Sequence, residues 1–545
     1  MKTSTTPILI IGGSSVGMSL ANELAHRNIN CILVEKQKGI NPHPRANAVA
    51  NRTMEFYRRW GIDQALIDNG ISPDSPADYL YTTSMNGRLV YKISLPSHNQ
   101  LMALADSGAD DKRLHHSPYL KTILGQNEVD KILKNHVLKQ PKIDARYGWE
   151  LIGFRQVEQP KHHVVAMVKN GDTGEIQEIV ADYMVACDGG QSLVRTTMGV
   201  PLKGKGGLAH FVAIHFKAPG LNRKFGHGNI YFQLKKQYGG FLMNWDGGTT
   251  YTFHHVLKDG QDWQDVDPVD LIQKIAGWNI PVEIFSTQPW TAHQLVAEYY
   301  RRGHIFLTGD AAHLFTPTGG FGMNTGVADA MDIAWKLQAM LEGWGGDGLL
   351  DSYHEERRPI GVQNTATSAG YFYALNNSFR FGEELDEDTA EGETARQTLV
   401  SELDGQVGLI DSSGLLLGYR YEGSSICVSD GTEAVPFDPQ HYWPTTRPGH
   451  RLPHLWVKEG VSVLDLLGRE FTLIRTDPDV NVDDFRGAAE AAGLPLKILD
   501  VSAEIFAETY EKKLVLVRPD LMVAWRGDTT PNDVTAVIDQ VRGCL

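Results

Sequence analysis

The sequence predicts an α/β protein: a parallel sheet carrying an inserted antiparallel sheet, followed by a small α/β unit at the C-terminus. Three observations predict it. The first 35 residues run strand, Gly-rich loop, helix, strand and acid. Two further apolar strands, at 183–187 and 304–308, end in Asp-Gly and Gly-Asp pairs. Between them lie stretches rich in β-formers that alternate, and beyond residue 410 strands and helices interleave again.

The N-terminal unit comes first. Residues 7–11 are a short apolar run suited to a buried strand, and G-G-S-S-V-G follows at 12–17. Val16, Leu20, Ala21 and Leu24 then share one face of a helix over about 15–27. Residues 30–35, N-C-I-L-V-E, form the next strand and end in Glu35, 18 residues after Gly17. This is the order of a dinucleotide βαβ unit. The loop lets a pyrophosphate reach the helix N-terminus, and the acid takes hydrogen bonds from an adenosine ribose. Ser14 stands where the second glycine of G-x-G-x-x-G is usual. Serine is the next smallest polar choice, and its hydroxyl can face phosphate. Gly12 makes the turn, and Gly17 lets helix and strand pack closely. A literal G-x-G-x-x-G at 343–348 follows a helix instead of a strand, which makes it a glycine-capped helix end and loop.

The next two segments repeat the strand-end pattern. Y-M-V-A-C-D-G-G-Q-S-L-V-R (183–195) runs from a strand into Asp188-Gly189 and then a helix with Arg195, a residue for either cofactor handling or a surface salt bridge. H-I-F-L-T-G-D-A-A-H-L-F-T-P-T-G-G-F-G-M-N-T-G (304–326) runs from a strand into Gly309-Asp310, a Pro- and Gly-rich loop, and a helix over about 322–341. That helix points its free N–H groups and positive dipole end at the loop ahead of it. His313 is expected to be structural, and R-R-W-G (58–61) to be a helix end.

In this order, the segments resemble the FAD-dependent aromatic hydroxylases, the single-component class A flavoprotein monooxygenases of the para-hydroxybenzoate and phenol hydroxylase type. H-P-R-A-N-A-V-A-N-R-T-M-E-F-Y-R-R-W-G (43–61) looks like that group's H-P-R-A…R-T-M-E signature. Residues 309–326 look like its flavin loop, and L-L-D-S-Y-H-E-E-R-R-P (349–359) matches as well. The likeness runs from about residue 7 to 365 and more weakly to the end.

The resemblance implies an FAD-binding, Rossmann-like domain of the para-hydroxybenzoate hydroxylase type over 1–80, 105–200 and 300–375. It implies a substrate-binding antiparallel β-sheet domain over 81–104 and 201–299, a linker or helical segment over 376–440, and a thioredoxin-like α/β domain without C-x-x-C over 441–545. FAD is the implied cofactor. Gly12, Ser14, Ser15, Val16, Gly17, Glu35 and Lys36 should hold its ADP half. Arg45 should lie near the pyrophosphate and flavin, and Gln126, Asp188 and Gly309 should also contact FAD. Asp310 should hydrogen-bond the ribityl chain. Pro317, Gly320, Gly322, Met323 and Asn324 should lie along the isoalloxazine, with Pro317, Gly320 and Gly322 nearest the chemistry. A helix N-terminus there would stabilise the negative charge of reduced flavin. No catalytic residue is assigned, and no metal. Departures from the group's pattern are Ser14, Asp130 where Glu is commoner, and Asp332 where Asn is commoner.

The implied activity is NAD(P)H-consuming hydroxylation of a phenolic or polycyclic aromatic ring through a flavin C4a-hydroperoxide. Its partners are O2, the aromatic substrate, and NADPH or NADH. The nicotinamide binds transiently, since no second strand–G-x-G-x-x-G–helix unit exists. A Baeyer–Villiger or epoxidising enzyme is the near alternative. A flavin reductase or dehydrogenase without oxygen insertion, or a cyclase with structural FAD, are the others. Stretches 210–217, 228–234 and 251–256 suggest the inserted sheet, and Asn47, Tyr231, Tyr238, His254 and His255 are pocket candidates by their segments. The acidic stretch within 380–404 is expected as an exposed helix or loop with a solvated face.

Bulk properties bound the rest. A net charge of −15 argues against nucleic acid and anionic membranes as general partners. No segment approaches the ~18 apolar residues of a membrane helix, and the apolar run before residue 12 is too short for a signal peptide. Cys31, Cys187, Cys427 and Cys544 form no C-x-x-C, so neither a disulfide framework nor a zinc knuckle is expected, and a cytoplasmic location is. A homodimer is one assembly left open.

Overall fold

The computed structural model describes residues 2–107, 112–159, 162–404, 412–501 and 504–545. Met1, 108–111, 160–161, 405–411 and 502–503 fall inside the expected domain spans and lie outside the described residues.

Strand Lys2–Ile11 is the centre of the nucleotide-binding sheet. Its Ile8, Leu9 and Ile10 are fully buried, as a parallel strand covered on both faces requires. It pairs in parallel with Cys31–Glu35 on one side and Ile176–Ala186 on the other. Ile143–Tyr147 and Ile305–Leu307 extend the parallel set outward. All five strands therefore end on one rim, the edge where such sheets bind ligands. Gly12, Glu35, Cys187 and Thr308 stand on that rim. Helices Ser15–His26 and Phe321–Glu342 pack together beside this sheet. Gly343, with φ +80°, caps the second helix, so the literal glycine match at 343–348 is a helix end as expected.

The second sheet has eight described strands, in the order His313–Leu314, Glu283–Ala297, Leu202–Lys217, Thr250–Val256, Gly240–Asn244, Ile230–Gln233, Tyr79–Thr82 and Leu89–Ile93. Alternation assigns its faces. Val212, Ile214, Phe216, Leu242 and Phe253 point outward and are covered by helix Pro268–Ala276. That helix is locally well specified. The Asp267 side chain accepts from the N–H groups of Val269 and Asp270, Pro268 opens the first turn, and Gly277 closes the helix at φ +78°. The inner face carries Tyr79, Phe211, Phe232 and Phe241, covered by Phe372, Leu375 and Phe379 from helix Asp347–Asn377 and the turn that follows it.

The acidic segment is more than a solvated face. Helix Ala390–Asp404 buries Leu399 and Leu403 in this same inner core, and Lys235 pairs with Asp386 at 2.7 Å and with Glu383. The composition shows only its charged flank. The docking stripe is two leucines at i and i+4.

The C-terminal unit orders its strands Leu496–Asp500, Phe471–Arg475, Leu514–Val517, Val523–Gly527. The first pair is parallel and the others antiparallel. It shares a continuous core with the nucleotide-binding unit, in which Trp335, Ala339, Trp344 and Leu349 pack with Phe471, Leu473 and Val541. No described helix is long and apolar enough to cross a membrane.

Candidate functional site

The cradle is built from backbone brought too close for side chains. A Cβ on Gly12, which has φ +106°, would overlap the Cys187 carbonyl, and one on Gly17 would overlap the Gly12 carbonyl oxygen. A Cβ on Gly13 would stand 2.7 Å from Cβ of Glu35. Ser14 escapes this crowding: it is exposed at the mouth of the loop, in extended backbone at φ −87°, ahead of the open N-terminus of helix Ser15–His26. Nothing at that position demands glycine. Glu35 is locked beside the loop, accepting from Gly13 N at 2.6 Å and from Gln37 N at 2.7 Å. Lys36 is exposed next to it.

Three side chains meet at the same helix start. Gln126 donates to Ser15 Oγ at 3.1 Å, and Ser15 Oγ donates to Asp130. Burial pushes the Asp130 carboxyl up to about 6, partly offset by Ser15 and the Arg45 charge. Arg45 is exposed to the cleft with no hydrogen-bond partner among the described residues, and its field acts on both Asp130 and Asp310. Among the described residues it is an unpaired cation whose field reaches both the helix start at Ser15 and the 309–320 turn.

The raised Asp130 pKa makes a signed prediction. Its folded value exceeds the usual 3.8, so the folded protein holds the extra proton and stability falls as pH rises from about 4 to 6. Asp130→Asn keeps an acceptor for Ser15 and removes the buried charge. The apoprotein should gain stability at pH 8, by at most about 3 kcal/mol, and gain nothing at pH 4. Urea unfolding at the two pH values checks this, and equal gains at both would refute it.

The segments 187–189 and 309–326 close the site. Cys187 N donates to Ile11 O at 2.7 Å and Thr308 N to Ala186 O at 3.0 Å, which ties all three strand ends together. Asp188 Oδ2 accepts from Val194 N at 3.1 Å, while its buried Oδ1 has no partner among the described residues and burial raises the carboxyl. Arg195 is buried and forms no ion pair among the described residues. Its guanidinium donates to Ala311 O (3.1 Å) and Gly190 O (2.9 Å), stapling the two loops by their backbones. A Cβ on Gly326 would meet Val16 Cγ2 at 2.6 Å and Gly309 Cα at 2.9 Å, so the first helix, the Gly309 turn and the long helix touch at one point.

Asp310 reaches the cleft. Its side chain is open to solvent yet walled by protein, and the lost hydration raises its carboxyl. Next to it, Asp329 is fully buried and gathers Gly309 N, His313 Nε2 (2.7 Å) and Arg357 Nε (2.8 Å). His313 therefore has the structural role expected of it. After Pro317 the chain turns through Gly319 (φ +83°) and Gly320 (φ +67°) into helix Phe321–Glu342. Gly322 leaves ordinary van der Waals room, since a Cβ there would stand 3.6 Å from the Phe315 ring. Ser368 clamps this loop, since its Oγ lies 2.6 Å from Thr316 Oγ1 and its carbonyl accepts from Thr318 Oγ1 at 2.6 Å. Met323 is buried, and the Asn324 amide is saturated. Asn324 accepts from Ala50 N and Thr53 Oγ1 and donates to Ala48 O and Gly320 O, so only its backbone is free for a ring.

These groups fit FAD: a side-chain-free cradle at a helix N-terminus, an unpaired cation, an orphaned buried carboxylate oxygen and a second carboxylate facing the cleft. A separate cavity of about 420 Å³, lined by His26, Arg58, Arg59, Asp465 and Arg469 among others, lies at the opposite end of helix Ser15–His26 and is no part of this site.

Of the five pocket candidates, only His254 is placed on the inner face of the second sheet, in register with Ala213 and Phe241. Tyr231 and His255 belong to the opposite face; Tyr231 donates to Gly226 O at 2.6 Å and His255 meets Gly239 O. Tyr238 lies by Lys235, and Asn47 O accepts from Leu124 N. Sequence reasoning missed Phe211 and Trp290, stacked at 4.2 Å and 3°, and Phe372 edge-on to Phe211. Their alternation in the strands was the available signal.

Comparison with known proteins agrees with this geometry. The FAD binding domain family matches residues 5–368, and the aromatic-ring hydroxylase C-terminal family matches residues 445–544. The chain is 31% identical to the FAD-dependent monooxygenase apdD of Emericella nidulans, over 98% of this chain and 90% of that one. It is 29% identical to aklavinone 12-hydroxylase RdmE of Streptomyces purpurascens, over 99% of each. Among solved structures it superposes on the rebeccamycin biosynthetic enzyme RebC with reduced flavin at a TM-score of 0.89, with 32% identity over the whole of both chains. It also superposes on aklavinone-11 hydroxylase with FAD and aklavinone at 0.81, with 28% identity over 98% of each. The chain belongs to the FAD-dependent aromatic-ring hydroxylases, which are flavoprotein monooxygenases.

Proposed function

We propose that this monooxygenase hydroxylates a fused, phenolic aromatic ring, using O2 and a transiently bound NADPH or NADH. The observation that carries the reading is the aromatic wall on the inner face of the second sheet. The Phe211–Trp290 stack and the Phe241–His254 stack (4.5 Å, 16°) form a flat, largely buried aromatic layer under Phe372, against which a planar ring would lie once that cover shifts. Similar proteins named for tetracenomycin and aklavinone support a multi-ring substrate.

Bound FAD supplies reductive activation of O2. The chain supplies placement. The 12–17 loop and Arg45 would hold the diphosphate, Glu35 the ribose, and Asp310 the ribityl hydroxyls. The Gly320–Phe321 helix start would supply free N–H groups and a positive dipole end to stabilise negative charge on reduced flavin. The aromatic wall excludes water from the reacting faces.

Several finer readings go with this one. The domain spans given above go with this reading, and the C-terminal unit is a thioredoxin-like scaffold that serves packing, since it has no C-x-x-C. Free cysteines, two of them buried, support a reducing cytoplasm.

The test is a turnover with ¹⁸O2 and either nicotinamide on a panel of one-, two- and four-ring phenols. One ¹⁸O atom in a ring hydroxyl of a multi-ring product is expected. Label in a lactone or epoxide, or reductant consumption with no label in any product, would overturn the proposal.

A further inference from the structure

We infer that His254 Nε2–H is the hydrogen-bond donor that orients an oxygen substituent of the aromatic substrate, and that Trp290 fixes the tautomer that makes it a donor. The inference rests on the reading that an aromatic ring binds against this wall.

The tautomer follows from donor inventory. Trp290 Nε1 lies 3.1 Å from His254 Nδ1. An indole nitrogen can only donate, so Nδ1 must be the acceptor, and in a neutral imidazole the proton then sits on Nε2. The two rings meet edge to face at 5.7 Å and 77°. Trp290 is itself held by its stack on Phe211, and the imidazole by its stack on Phe241. Burial, reinforced by the nearby His43, holds His254 down at about 3, so the ring stays neutral near pH 7 and acts as a donor and not as a base.

Nε2 is buried and has no hydrogen-bond partner among the described residues. A buried donor left unpaired is destabilising, a penalty that a bound acceptor removes. Because the nitrogen is shielded, a ring reaches it only as the wall side chains give way, a rotamer-scale adjustment common on binding.

Its place in the molecule is that of a substrate contact. Strand Glu283–Ala297 is tied to the flavin-binding unit at two points. Leu295 pairs with Leu314 at the start of the flavin loop, and Ser286 Oγ meets His43 Nδ1 at 2.8 Å, two residues from Arg45. Trp290 lies between these ties. From the other side, Ser368 grips the flavin loop, and Phe372 stands one helical turn further on, about 6 Å along the axis, against Phe211. The wall holding His254 is thus fastened to the flavin loop on both sides.

The holoenzyme tests this with 2-naphthol and naphthalene, followed by perturbation of the flavin absorbance. His254→Phe should weaken 2-naphthol about tenfold, the worth of one hydrogen bond near 1.4 kcal/mol, and leave naphthalene unchanged. His254→Gln, which keeps an N–H donor, should restore most of the loss. In ¹⁵N-histidine spectra His254 should be the Nε2–H tautomer, and Trp290→Phe should admit the Nδ1–H form and weaken 2-naphthol selectively. FAD content at the wild-type level in each variant shows that the fold is intact. Equal 2-naphthol affinity in wild type and His254→Phe, or an Nδ1–H tautomer in wild type, overturns the inference alone. A wild-type protein that binds neither ring overturns the aromatic-substrate reading and this inference with it.

Discussion

Gly17→Ala should purify colourless. A single methyl group there falls inside the carbonyl oxygen of Gly12 and 3.0 Å from its carbonyl carbon, with Cys187 Cβ 3.3 Å away. None of these atoms is the free end of a flexible side chain. Gly12 itself is pinned: its N–H bonds Val34 O at 2.8 Å, its φ is +106°, and the Cys187 carbonyl closes off its far side. The helix Ser15–His26 must therefore lift off the strand. The N–H groups at its start, proposed to face the diphosphate, therefore move out of line together. A hundredfold loss of FAD affinity, about 2.7 kcal/mol, is the expected minimum, and Gly17→Val should be worse. The ratio of 450 nm to 280 nm absorbance after purification, and calorimetric titration with FAD, measure it. A variant as yellow as wild type would show that this close approach has no bearing on the cofactor.

That crowding explains which parts of the site were legible in the sequence. Strand, loop, helix and acid are consecutive, so the cradle is written locally, and the apolar ends at Ala186 and Leu307 announce the other two rim positions. Ser14 breaks the glycine pattern without harm, because the tight contacts belong to Gly12, Gly13 and Gly17. Neighbouring residues on a strand were harder. His254 and His255 share a segment and every local property, yet they point to opposite faces, and only the pairing register with Ala213 and Phe241 decides which one meets the wall.

Least legible were contacts between distant segments. Arg52 and Glu55 lie in the R-T-M-E stretch that resembles a flavin signature, but Glu55 bonds Arg52 and Arg451, 396 residues away, and Arg52 donates to Asp520 O at 2.8 Å. The stretch serves to dock the C-terminal unit. No periodicity carries such a pairing. Asp332, a departure from the usual Asn, is explained the same way: its carboxylate meets Lys336 on its own helix and Arg518 from the C-terminal unit.

Arg518→Met should be the most destabilising substitution outside the cofactor loop. Arg518 is fully buried and binds Glu356 through both carboxylate oxygens, at 2.5 and 2.9 Å, with Asp520 at 2.7 Å and Asp332 at 3.1 Å. Lys336, also fully buried, bonds Asp332 at 2.8 Å and Glu356 at 2.6 Å. Burial drives both the Asp332 and Glu356 carboxyls up. For Glu356 the attraction of Arg518 and Lys336 wins and holds it low. Asp332, buried with Glu356 beside it, is pushed up and is the most readily protonated acid of the cluster. Two cations, Arg518 and Lys336, thus sit among three acids, Asp332, Glu356 and Asp520. Methionine fills much of the arginine's volume but leaves Glu356 buried against one cation. Breaking a buried pair in this way costs about 3–5 kcal/mol. The loss should spread to the flavin, since Asp332 and Lys336 lie on the helix that begins at the flavin loop, and Arg357 beside Glu356 holds Asp329 and through it Gly309. Trp335, 5.1 Å below the guanidinium, reports the event by its fluorescence. Urea unfolding should show the C-terminal unit and the FAD released together at lower denaturant. Adding Glu356→Gln to the variant should return part of the stability, because the uncompensated charge goes with it. If the second change only deepened the loss, the cluster would be a packing element and its charges incidental.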